Sequence, residues 1–163
     1  MSRRITFRRL AFAAALTTGA LAPGLAAAQN SGVAETLYRD GVKLLEEGKV
    51  HEACLKLAES QRADPALGTL LNLATCHDKE GKSATAWGEF STAAAMAHRA
   101  GQPEREEFAK KSAAALEKKL QRLIIEVASW APGTEVKLDG ETLGQGAIGT
   151  ALPLDPGDHQ VVV

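Results

Sequence analysis

Three groups of residues have types and spacings that could do chemistry. Gly144-x-Gly146-x-x-Gly149 has the spacing of a dinucleotide-binding turn, which needs a helix N-terminus aimed at a pyrophosphate. Pro153 follows too closely for that helix, so the stretch reads as a glycine-rich loop between strands. Gly81-Lys82-Ser83 has the ending of a phosphate-binding loop, but Cys76 stands where its first glycine belongs and a helical pattern precedes it. It reads as a helix stop followed by a helix start. The histidines at 51, 77, 98 and 159 have no second ligand at metal spacing on the same helix face. His77 reads as a packed histidine, and Asp78 and Glu80 as a solvated helix end. No Ser, Thr or Cys has a recognisable base partner. The expectation is a chain without catalytic residues, cofactor or metal, and so not an enzyme.

The stretch from Ala34 to Ala100 reads as one pattern written twice. Leu37, Gly41, Gly48, Ala53 and Leu57 align with Leu70, Ala74, Gly81, Ala86 and Phe90 at a constant offset of 33 residues. Large apolar positions meet large ones and small meet small. A repeat of this length marks a helix–turn–helix unit that buries its apolar face against a neighbour. The pattern predicts helices over 33–47, 50–63, 66–80 and 83–100. Gly48, Gly81 and Gly101 act as stops. Asp64-Pro65 and Ser83 act as starts. On the second helix Ala53, Cys54, Leu57 and Ser60 should point inward; on the third, Leu67, Leu70, Leu71, Ala74 and His77. Gln102-Pro103-Glu104 starts a fifth helix, expected to reach Gln121 with Phe108, Ala109, Ser112, Ala115, Leu116 and Leu120 on one stripe.

At Arg122 the apolar period changes from 3.6 to 2. Leu123, Ile125 and Val127 alternate, Pro132-Gly133 turns, Val136 and Leu138 alternate, and Asp139-Gly140 makes a hairpin turn before Glu141–Leu143. Residues 150–154 and 159–163 should be extended, with Asp155–Asp158 turning between them. The fold class is therefore mainly α: two helical hairpins and a capping helix, then a small partial β-sandwich.

The chain has 163 residues, 45% of them hydrophobic and 24% charged, which suits one or two small globular domains. Residues 1–28 read as a signal peptide: Arg3, Arg4, Arg8 and Arg9, an uncharged run from Leu10 to Leu21, a break at Pro23-Gly24, and small residues up to cleavage after Ala28. An uncleaved anchor is the alternative. Removing them takes four of the 19 basic residues and none of the 20 acidic ones, so the remaining chain is acidic and poorly suited to nucleic acid. Export without an anchor implies a periplasmic or secreted protein with no transmembrane segment in the mature chain.

The small-residue and turn positions of the double pattern resemble the tetratricopeptide repeat (TPR): Leu37, Gly41, Leu44, Gly48, Ala53, Leu57, Ser60 and Pro65 in the first unit, and Leu70, Ala74, His77, Gly81, Ala86, Phe90 and Ala93 in the second. Asp40 departs from it, and His98 stands where a terminal proline would fall. The stretch PGTEVKLDGETLG with PLDPGDHQVVV resembles a PEGA domain, a β-sandwich of the bacterial envelope, cut short inside an apolar strand. The domains are then 1–28 signal peptide, 29–121 TPR-like with a capping helix, and 122–163 PEGA-like and incomplete.

The first resemblance implies peptide binding on a concave face lined by the first helix of each unit. Its candidates are Tyr38 and Arg39, then Asn72, Thr75 and Lys79. Asn72 can both donate to and accept from a peptide backbone, and Arg39 and Lys79 could hold a carboxylate. The resemblance also implies that the helices carrying Cys54 and Cys76 pack together. The two cysteines are then either a disulfide, which export favours, or buried free thiols. The expected function is an exported protein–protein interaction module of the cell envelope that binds partner proteins or peptides. The alternative is a structural protein acting through the β-module, with self-association through an unpaired strand at Gln160–Val163.

Overall fold

The computed structural model describes residues 23–163 apart from Pro132, with side chains from Asn30 onward. The chain forms five helices, α1 (Pro23–Glu46), α2 (Val50–Ala63), α3 (Leu67–Lys79), α4 (Ser83–Arg99) and α5 (Pro103–Glu117). Five strands follow, β1 (Gln121–Ile124), β2 (Val136–Leu138), β3 (Glu141–Leu143), β4 (Ala151–Leu154) and β5 (Val161–Val162). The expected leader lies outside the described residues up to position 22. Its last six residues are the start of α1, which begins ten residues before the expected Val33. Pro23 takes a first helical position, where its missing N–H is harmless, and the alanines after it are strong helix formers.

The repeat is visible in the backbone. Gly48, Gly81 and Gly101 have φ of 76°, 81° and 64°, a conformation that glycine adopts without a Cβ penalty. Each closes its helix with the same two bonds. Gly48 N–H donates to Leu45 O and Lys49 N–H to Leu44 O; Gly81 and Lys82 do the same to Asp78 and His77, and Gly101 and Gln102 to His98 and Ala97. These pairs satisfy carbonyls that a helix end would leave orphaned.

Two core clusters follow from the pairing of helices. α1 packs on α2, α2 on α3, α3 on α4 and α4 on α5. One cluster joins Ala53, Cys54, Leu57, Leu73 and Cys76; the other joins Leu70, Ala74, Ala86, Phe90, Ala93, Ala109 and Leu116. Leu57 is fully buried, which contributes about 1.5–3 kcal/mol relative to an exposed side chain. Gly41 makes the α1–α2 approach close: a Cβ there would stand 2.8 Å from Leu57 Cγ. Ser60, also buried, donates Oγ–H to Ala34 O at 2.7 Å.

Several details differ from expectation, each for a tertiary reason. On α3 the buried set is Thr69, Leu70, Leu73, Ala74 and Cys76. A helix sandwiched between α2 and α4 buries two sides, so Leu67 and Leu71 are only half-buried. On α5 the buried set is Ala109, Ala113 and Leu116, and the helix ends at Glu117 rather than Gln121. Phe108 stays half-exposed and meets Phe90 edge to face, ring centroids 5.9 Å apart. Asp64 does not start α3; it ends α2 in an extended conformation, and its carboxylate accepts from Ser31 Oγ at 2.7 Å. Ala66 is the N-cap of α3, its N–H held by Gln61 Oε1.

The strands form two small antiparallel sheets, ordered β1–β4 and β3–β2–β5. The Asp139-Gly140 hairpin is present, with φ of 51° and 86° as its turn requires. Val127 lies beyond β1, and the expected unpaired strand at 160–163 is paired: Val162 and Val161 face Lys137 and Leu138 of β2. Ile125, Val136 and Leu138 are the buried residues of this part.

Ser83 does not cap α4. Lys82 is the N-cap and no side chain of its own segment closes the turn. The cap comes from the β-module. Asp155 Oδ1 accepts from Ala84 N–H at 2.7 Å and Thr85 N–H at 3.0 Å, and Oδ2 accepts from Thr85 Oγ1. β4, which leads into Asp155, packs on α4.

Candidate functional site

The first helices of the two hairpins, α1 and α3, are in contact. Tyr38, Val42 and Leu45 from α1 and Leu71, Asn72 and Thr75 from α3 are all half-buried. The two rows are joined where Asn72 Nδ2 donates to Tyr38 OH at 3.2 Å. The same nitrogen donates to Gly68 O at 3.0 Å, so both its hydrogens are engaged. Asn72 is left with its oxygen as an acceptor, half of the role its type suggests. Thr75 Oγ1 donates back to Leu71 O, one turn earlier on its own helix. Arg39 pairs with Glu35 at 2.9 Å on the exposed side of α1. Lys79 is exposed, with no polar partner among the described residues. The five candidates thus divide. Tyr38 and Asn72 touch, Thr75 lies about one turn further along α3, and the two cations are exposed.

The disulfide between Cys54 and Cys76 ties α2 to α3, with Cα atoms 5.5 Å apart. Cys54, His77 and Glu80 bring ligand-type atoms within 4.8 Å of one another. Zinc would need a thiolate there, and the Cys54 sulfur is bonded to Cys76. His77 Nδ1 faces Glu89 at 2.8 Å, and Glu80 meets His51 at 2.9 Å and Lys82 at 2.7 Å. Burial pushes the Glu80 carboxyl upward, but Lys82 and His51 together hold it below the ordinary carboxylate value. The cluster is an ion-pair network that ties the start of α2 to the end of α3 and to the α3–α4 turn.

Sequence spacing did not reveal that every histidine faces a carboxylate. His51 meets Glu80, His77 meets Glu89, His98 meets Glu106, and His159 meets Asp139. Such a pair could orient an imidazole as a base, but no hydroxyl or thiol is hydrogen-bonded to any of the four among the described residues. Gly144–Gly149 lies in a short 3-10 turn between strands, without a helix to aim at a phosphate.

A groove of about 600 Å³ lies elsewhere, between α4 and α5. Trp87, Ala94, Ala113, His98 and Glu106 are among the residues that line it. Trp87 on α4 is only half-buried there.

No protein-family model, curated protein or solved structure matches the chain significantly. The helical repeat-like arrangement therefore stands on the chain's own internal repetition. Among the described residues no helix is long and apolar enough to cross a membrane.

Proposed function

We propose that the chain is an exported, non-catalytic interaction module whose α1–α3 face binds an extended peptide segment of an envelope protein. The observation that carries this reading is the Tyr38–Asn72 bond, which joins the two first helices, each of which carries half-buried apolar residues. A peptide along the α1–α3 face would cover Val42, Leu45 and Leu71 and meet the free Asn72 oxygen with a backbone N–H. Lys79 is exposed, available to a carboxylate. The TPR resemblance supports the same face. A disulfide between adjacent helices supports an oxidising compartment, and the PEGA resemblance of 122–163 supports the envelope.

Titrating C-terminal peptides of envelope proteins against the protein by calorimetry tests the reading. Asn72→Ala and Lys79→Ala should each weaken binding several-fold, on the scale of about 1 kcal/mol per polar contact. Unchanged affinity in both variants would refute the face.

A second reading makes the chain an assembly protein acting through its β-module. It is favoured by β5, which has β2 on one side only among the described residues and leaves Val161 and Val162 exposed. Concentration-dependent self-association without peptide binding would select it.

A further inference from the structure

We propose that His159, held between Asp139 and Asp155, is a pH-sensitive clasp that fastens the β-module to the start of α4 and loosens when its ring loses a proton.

The ring bridges two segments of the β-module. Nδ1 lies 2.6 Å from Asp139 Oδ2 and Nε2 lies 2.7 Å from the main-chain oxygen of Asp155. Both neighbours are acceptors. A neutral imidazole has one N–H and can satisfy only one of them; an imidazolium donates to both. The doubly protonated ring is therefore the form that fits. Asp139 is itself fixed, its Oδ1 accepting from Gln160 N–H at 2.8 Å and its own N–H donating to Gln160 O at 2.9 Å. On the other side, the residue whose carbonyl meets the ring is the one whose carboxylate caps α4 through Ala84 and Thr85. One chain of bonds runs from the β2–β3 turn through His159 to the helix.

When the ring becomes neutral, one nitrogen turns a lone pair toward an oxygen less than 3 Å away. The ring or the 155–159 turn must then move, and Asp155 moves with it. The charged groups facing His159 are Asp139 from the β2–β3 turn and Asp155 from its own turn. At the start of α4, Lys82 is engaged with Glu80. Hydrogen bonding to Asp139, then to the Asp155 main chain, raises the His159 value above 6.5. Bonds from His159 and Gln160 lower that of Asp139 below 3.8. The sign follows from both shifts. The His159 contribution is complete below about pH 6.5 and is lost as pH rises through the raised folded value. The Asp139 contribution is present above its unfolded value and is lost in acid.

Every histidine faces a carboxylate, so the readout must be local to His159. Ala84 and Thr85 lie in the first turn of α4, where amides have no intrahelical acceptor, so their hydrogen-exchange protection reports the Asp155 cap. In the whole protein, that protection, corrected for the intrinsic pH dependence of exchange, should fall about tenfold, the scale of one hydrogen bond to a charged group. Its midpoint should match the ring titration of His159 followed by NMR. His159→Gln should flatten the transition. If that variant does not fold, Asp139→Asn serves instead and should lower both midpoints together. Protection that does not change with pH, a transition that survives in His159→Gln, or midpoints that move apart would overturn the proposal.

Discussion

Asp155 and Thr85, 70 positions apart in the chain, are bound twice, through the Thr85 amide and the Thr85 hydroxyl. The first turn of α4 thus receives its cap from the β-module rather than from its own flanking residues. A capping bond is a local device in most helices. Here it fixes where the β-module sits.

Removing that carboxylate should be felt in both parts. Asp155→Ala is expected to cost about 1–2 kcal/mol, the range of a strong N-cap. Thr85→Val removes the hydroxyl bond alone and should cost less. The double variant should be less destabilised than the sum, because the two groups act on each other. Urea unfolding of the four proteins measures this. Additive losses would mean that the residues do not interact in solution.

Gly41→Ala is a sharper test of the α1–α2 interface. Helix propensity alone favours the change by roughly 1 kcal/mol. The new Cβ would stand 2.8 Å from Leu57 Cγ and 3.3 Å from Ala53 O, against a side chain and backbone that are fully buried. Overpacking of this kind costs about 1–3 kcal/mol. The expected net effect is a lower thermal midpoint; a rise would show that the helices sit further apart.

The Cys54–Cys76 bond spans 22 positions. Closing a loop of that size should stabilise by roughly 3 kcal/mol in the chain-entropy model. Unfolding with and without a reductant should show that loss, and Cys54→Ala/Cys76→Ala should reproduce it without further response to reductant.

Glu80 gives the acid limb a specific cause. Its carboxyl is 11% exposed and paired with Lys82 and His51. Its folded value lies below 4.5, so its contribution is present above that pH and is lost as pH falls through the lowered folded value. Glu80→Gln should be less stable than the native protein at pH 7, and the two should converge in acid. A difference that persists at pH 3 would place its cause in packing instead.

What the sequence disclosed depended on how local the chemistry was. The inward set of α2 (Ala53, Cys54, Leu57 and Ser60) is the buried set, because one face of that helix carries one stripe. Gly48, Gly81 and Gly101 were legible as stops because a positive φ selects glycine within a single turn. The Asp139-Gly140 hairpin was legible for the same reason. Asp64 and Ser83 have the right types for caps, yet a distant hydroxyl engages one and a distant carboxylate replaces the other. The two-sided burial of α3 and the half-engaged Asn72 amide needed the neighbouring helices in place. Tyr38 and Asn72 were both marked as candidates; that they bond to each other was not readable from a spacing of 34.

Backbone amide mapping by NMR with a bound envelope-protein peptide tests the proposed face most directly. Shifts concentrated at Tyr38, Val42, Asn72, Thr75 and Lys79, and lost in Asn72→Ala, are the predicted result. Shifts confined to the α4–α5 groove around Trp87 or to β5, with α1 and α3 unmoved, would contradict it.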